Sequence, residues 1–187
     1  SVMNFKSLFT LAFSLVLTSL VLFSCGTSKT ATAEELKELD QLVENRQFKF
    51  DLQFARPLVT NTLNQLDNAG LFRPGDNASR INLGGFSSRF EFKRDSVIVD
   101  LPYFGERQMG GGYNTDGGIN FKGIAKDLEV TKKDNQYRIK FNIKGEGVET
   151  YRVTVTLFPG LSGTINVNSA QRFPIRYDGK IKKLDLN

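Results

Sequence analysis

Histidine and tryptophan are absent from these 187 residues, and cysteine occurs once. Without histidine there is no Ser-His-Asp or Cys-His pair and no His-ligated zinc. With one cysteine there is no internal disulfide. Acid is mildly scarce as well: 25 Lys and Arg stand against 20 Asp and Glu, a formal charge of +5. The basic residues are interspersed along the chain rather than clustered, which describes a solvated surface and not a nucleic-acid site. Lysine, tyrosine and carboxylate chemistry remain open. Tyr103, Glu106 and Lys122 are the types available, but no spacing pairs them, so no catalytic residue is assigned and no cofactor is implied.

What is abundant is apolar. The hydrophobic types make up 40% of the chain, with 16 phenylalanines, enough for one sizeable core in a single domain. The longest apolar run, LFTLAFSLVLTSLVLF from Leu8 to Phe23, follows a short start carrying Lys6. It is shorter than the ~20 residues of a membrane-spanning helix and suits a secretory leader. The run ends in Leu22-Phe23-Ser24-Cys25-Gly26, which resembles the lipobox of bacterial lipoproteins. That resemblance implies cleavage before Cys25, a diacylglycerol on its thiol, and an acyl chain of the palmitate kind on the new amino terminus. The expected organisation is a leader over 1–24, a lipidated tether over 25–32 and one domain over 33–187. Gly26 rather than Asp after the cysteine, with no acid before Glu34, implies the outer membrane and its periplasmic face. The membrane is thus an expected partner, through the anchor.

Beyond the tether, Thr32-Ala33-Glu34-Glu35 fits a capping box, and Leu36, Leu39, Leu42 and Val43 recur at helical spacing. The spacing predicts an amphipathic helix over 33–46. The period then drops to two. Phe48, Phe50, Leu52 and Phe54 alternate with polar residues as far as Arg56-Pro57, a strand with one buried face. Residues 58–80 show no clean period and read as a long loop holding at most a short strand or helical turn. Strand signals resume at Ile81 and continue through 86–93, 96–101, 119–124, 128–131, 137–143, 151–157, 165–167 and 173–177. Turn residues separate them, and Asp178-Gly179 closes the pattern. About eight strands with no helices between them imply a mainly β fold, an antiparallel meander that hides its apolar face by closing into a barrel. A two-sheet sandwich would satisfy the same pattern.

Several stretches also resemble a known family. They are Leu42-Val43-Glu44-Asn45-Arg46 with Phe48-Lys49-Phe50, then Ser96-Val97-Ile98-Val99-Asp100-Leu101-Pro102-Tyr103-Phe104-Gly105, Gly117-Gly118-Ile119-Asn120-Phe121 and Asp127-Leu128-Glu129-Val130-Thr131-Lys132-Lys133. Val167-Asn168-Ser169 and Tyr177-Asp178-Gly179-Lys180-Ile181 complete the set. Together they are similar to the family called domain of unknown function 4251, small secreted or lipid-anchored bacterial proteins, over about residues 38–182. Residues 57–80 look longer than the family's usual link. The resemblance implies a lipocalin-like β-barrel and no activity.

Candidate sites are few. The glycine-rich stretch from Met109 to Gly118 lacks the Gly-Lys-Ser/Thr ending of a phosphate loop and reads as an inter-strand loop. Asp100, Glu106, Asp116 and Asp127 follow no calcium-loop spacing, so no metal is assigned. Pro102, Tyr103, Phe104 and Tyr113 sit where strands exit, and there they would either line the mouth of a ligand cavity or plug it as core. Two functions follow from the alternatives: an outer-membrane lipoprotein holding a small apolar ligand or lipid in its barrel, or an envelope structural or assembly protein with a packed barrel that binds another protein or peptidoglycan.

Overall fold

The computed structural model describes residues 31–108, 117–145 and 148–184. The predicted first helix is there as α1, Ala33–Asn45. Its capping box is complete: the Glu35 amide donates to Thr32 Oγ1 (3.1 Å) and the Thr32 amide to Glu35 Oε2 (2.9 Å). Arg46, in the left-handed region at φ 51°, terminates it. Leu39, Leu42 and Val43 are its buried face.

Strands β1 (Gln47–Pro57), β3 (Arg89–Lys93), β4 (Ser96–Leu101), β5 (Ile119–Ile124), β6 (Lys126–Lys133), β7 (Gln136–Lys144), β8 (Thr150–Phe158), β9 (Ser162–Ser169) and β10 (Ile175–Lys183) form one antiparallel sheet. The order is β5-β4-β3-β1-β10-β9-β8-β7-β6, and the two-residue β2 (Ile81–Asn82) pairs with β1 off this path. The sheet curls into a nearly closed barrel of nine strands, as the alternation implied. β5 and β6 end the order without pairing to each other.

Three details differ from the sequence-based expectation, each for a local reason. β1 shifts register between Leu52 and Phe54, so Ala55 turns inward and Phe54 outward, where the Arg80 guanidinium lies 3.8 Å from its ring centroid. β9 and β10 run longer than expected, because Gly163 and Gly179 lie inside strands as register partners. A Cβ on Gly179 would stand 2.5 Å from the Asp51 carbonyl oxygen, and one on Gly163 2.7 Å from that of Thr156 and 3.0 Å from the Phe50 ring. These glycines therefore mark close approach, not turns. Within 58–80, Asn61–Asn68 forms a two-turn helix, α2, capped by Thr60.

The inward side chains form a single cluster in which rings touch from strand to strand. Phe48 stacks on Phe92 (5.4 Å between centroids), and Phe50 meets Phe90 edge-on (5.4 Å). Phe92 of β3 reaches Phe141 of β7 at 5.8 Å and Phe121 of β5 reaches Tyr151 of β8 at 5.4 Å, pairs that cross the interior between strands not bonded to each other. The helix completes the closure. Asp40 accepts from Lys132 Nζ and the Tyr137 hydroxyl, both at 2.7 Å, while Arg46 meets Asp95 in the β3–β4 turn at 2.5 Å. One helix thus spans the unpaired seam. Lys132 first and Tyr137 second hold the Asp40 carboxyl below its ordinary pKa.

Phe92 is fully buried and touches rings on two walls. Phe92→Ala is expected to cost about 3–5 kcal/mol in urea unfolding. The double variant with Phe141→Ala should lose less than the two single losses combined, because the side chains are in contact. Strict additivity would show that the walls are not coupled through this pair.

Candidate functional site

The inward face is apolar along most of the barrel and changes character at one end. There the segment after β4, Gly117 two residues before β5, the start of β8, the end of β9 and the β9–β10 link converge on a buried ion pair. Arg172 Nε lies 3.1 and 3.2 Å from the two Glu149 carboxylate oxygens, and both residues are buried. Ser169 Oγ donates to Glu149 Oε1 (2.5 Å) and the Tyr151 hydroxyl to Oε2 (2.7 Å). Arg107 Nη2 approaches Oε2 at 3.8 Å. Arg172 also donates through Nη1 to the Gly117 carbonyl (2.8 Å), and its guanidinium lies 4.9 Å from the Tyr103 ring centroid.

Of the residues expected at the mouth, Tyr103 lies beside this pair, and Pro102 and Phe104 flank it in the segment after β4. The Tyr103 hydroxyl lies 2.8 Å from the Glu106 carbonyl and 2.9 Å from that of Phe173, and the Pro102 carbonyl accepts from Tyr177 (2.8 Å). Phe104 packs edge-on against Phe86 at 5.2 Å, and Arg73 covers the Phe86 ring at 4.4 Å. Both aromatics after β4 are partly buried against the core. Cys25 and Tyr113 lie outside the described residues.

The other candidates disperse. Asp127 accepts from Asn142, Glu106 from Thr60, Asp100 stands on the outer face of β4, and Lys122 points outward from β5. Among the described residues no group of three potential metal ligands occurs.

Electrostatically the end is locked. Burial pushes the Glu149 carboxyl up, but hydrogen bonds from Ser169 and Tyr151 and the charge of Arg172 outweigh it and hold the pKa below the ordinary value. Burial pushes Tyr103 up to about 12 against the opposing pull of Arg172, and raises Tyr151 and Tyr177 as well. A carboxylate with a depressed pKa and both oxygens occupied is a poor base. Ser169 gives its proton to Glu149 while its oxygen accepts from the Gln171 and Arg172 amides, both 3.2 Å away, so it is no nucleophile. The arrangement binds five chain segments together.

Glu149, Ser169 and Arg172 escaped the sequence reading, although a signal existed. Counting back by two from the inward Tyr151 puts Glu149 on the inner face, and counting forward from Val167 does the same for Ser169. Their charge and polarity argued for solvent, whereas Arg172 has no period to betray it.

Fold and site together define a nearly closed antiparallel β-barrel, packed inside and sealed at one end by a buried ion pair. The sequence model of a family described as a domain of unknown function, number 4251, matches residues 30–181, and the chain belongs to that family. A search of curated proteins finds no match.

Glu149→Gln leaves the buried Arg172 without its counter-charge and is expected to cost about 3–5 kcal/mol, read by chemical denaturation. The pH dependence has a definite sign. Because folding lowers the Glu149 pKa, its stabilisation is complete above the ordinary carboxyl range and is lost as pH falls through the folded value. Melting temperature should therefore fall with acidification in the native chain, and less steeply in Glu149→Gln. Parallel acid profiles would remove Glu149 as the cause.

Proposed function

We propose that this chain is a non-enzymatic, lipid-anchored protein of the bacterial outer membrane that faces the periplasm. Its packed barrel holds an envelope partner, another protein or peptidoglycan, on its outer surface. The observation that carries this reading is the ring-filled interior: Phe48, Phe50, Phe90, Phe92, Phe121, Phe141 and Tyr151 are buried and in contact across the space a small ligand would need. The sealed mouth supports it further. The exterior supports it too. Of the eight large apolar side chains exposed among the described residues, five (Leu58, Val59, Leu66, Leu71 and Phe86) fall in the excursion between β1 and β3. The anchor rests on Leu22-Phe23-Ser24-Cys25-Gly26 and the apolar run before it.

Two measurements test the two halves of this proposal. Cys25→Ser should move the protein out of the membrane fraction or leave it as an uncleaved precursor, and unchanged processing and partitioning would sink the anchor. Native mass spectrometry of the purified domain should give the bare polypeptide mass. A stoichiometric lipid or other small apolar molecule retained inside would replace this function with carriage of a ligand.

A further inference from the structure

The outward positions of β7, β8 and β9 carry an uneven charge. Arg138, Lys140 and Lys144 of β7 and Arg152 of β8 point away from the core, with threonine and asparagine at most remaining positions and no carboxylate among them. Arg152 stands opposite Asn142, which makes Lys140 and Lys144 its diagonal neighbours on the same face, about 7–8 Å away. The nearest acids belong to the flanking strands and are engaged there. Asp127 of β6 reaches into the wall and accepts from Asn142 (2.9 Å), Glu129 of β6 takes Lys140 (3.5 Å), and Asp178 of β10 takes Arg176 (3.0 Å) and Arg56. Arg138, Lys144 and Arg152 have no carboxylate partner among the described residues. The wall across the interior differs, because Glu91 and Asp100 lie among its outward residues and Arg89 pairs with Glu91 at 2.8 Å.

Like charges crowded on one sheet face repel, and an anion brought from outside relieves that cost. Phe158, diagonal to Arg138, is the one aromatic at the outward positions of β7–β9, so the wall lacks the row of stacking rings on which single-stranded nucleic acid is held. Phosphate headgroups need only charge and hydrogen-bond donors, which Lys and Arg provide. Position favours the same partner. Cys25 and Ala33, where α1 begins, are eight residues apart, a reach of at most about 28 Å. That is close to the length of β7 itself, about 30 Å for nine residues.

We propose that the outer wall of β7–β9 lies against an anionic lipid surface, with Arg138, Lys140, Lys144 and Arg152 facing its phosphates. This rests on the lipid-anchored reading above and adds an orientation to it: the barrel reclines on the bilayer.

Vesicle co-sedimentation tests the proposal with the unacylated chain from Gly26 onward, which contains the whole core. Binding is expected to equal parts of phosphatidylcholine and phosphatidylglycerol, to weaken with added salt, and to be absent with phosphatidylcholine alone. Arg138→Gln with Arg152→Gln should weaken it roughly tenfold or more, while Lys93→Gln with Lys122→Gln, an equal charge change on the far wall, should stay within about twofold. Unchanged melting of both double variants confirms that they are folded. Equal losses in the two pairs, equal binding to neutral vesicles, or binding to a single-stranded oligonucleotide without binding to vesicles would each overturn the wall. None of these outcomes depends on acylation, so a failed anchor shows separately, in the fractionation of Cys25→Ser.

Discussion

The constraint on which this structure depends is a seam. Backbone hydrogen bonds join nine strands in one path but do not join its two ends, so the barrel is held shut by side chains. Phe92 against Phe141 and Phe121 against Tyr151 connect walls that share no backbone bonds. Helix α1 bridges the gap, gripping the β6–β7 hairpin through Asp40 and the β3–β4 turn through Arg46. Gly123 of β5 closes up against Ile143 of β7, where an added Cβ would lie 3.8 Å from the Ile143 side chain. A fully hydrogen-bonded barrel can leave its lumen empty. One that relies on cross-lumen packing cannot, because the packing is what keeps the walls together.

That choice directs the chemistry outward. With rings filling the interior and the Glu149–Arg172 pair at one end, both proposed contacts fall on the exterior. The free edge of β6 is guarded. Lys126, Lys132 and Lys133 line that strand, its register shifts between Lys126 and Glu129, and Asp127 adopts φ 53°. Lysines and irregular backbone are the devices by which sheet edges avoid accidental strand pairing. What remains is the excursion between β1 and β3 with its exposed apolar residues, and the basic wall of β7–β9. These differ in chemistry, so the two proposals built on them stand or fall separately.

The sequence was most legible where one physical rule acted alone. The capping box and the 3.6-residue period gave α1 nearly to the residue, and strict alternation gave β7 and β8. Legibility failed where tertiary contact overruled a local signal. Gly163 and Gly179 carry a turn signal, but they are small because Phe50 and the β1 backbone occupy the space where side chains would go. Phe54 keeps the apolar phase of β1, yet the register shift turns it outward. Residues 58–80 have no period because α2 buries only Leu63, too little to leave a pattern. Pro102, Tyr103 and Phe104 follow β4 directly, which the sequence pattern shows. Their partner Arg172 lies in a link between strands, and only the fold brings it to them.

Glu149 and Arg172 also explain how a barrel of this kind ends. An apolar interior that reached the mouth would expose rings to water, and an open mouth would admit water to the rings. A buried ion pair satisfied by Ser169, Tyr151 and the Gly117 carbonyl removes both difficulties, at a desolvation cost that its hydrogen bonds offset. It also accounts for Tyr103, Tyr151 and Tyr177. Each places an aromatic body on the core and a hydroxyl on the polar cluster or a nearby carbonyl, as Tyr151 does toward Glu149 and Tyr177 toward Pro102. The transition from phenylalanine in the middle of the barrel to tyrosine at its end is therefore a gradient in what each layer must touch. The hydroxyls of Tyr103, Tyr151 and Tyr177 are each bonded to the protein, so the polar layer at this end is satisfied from within.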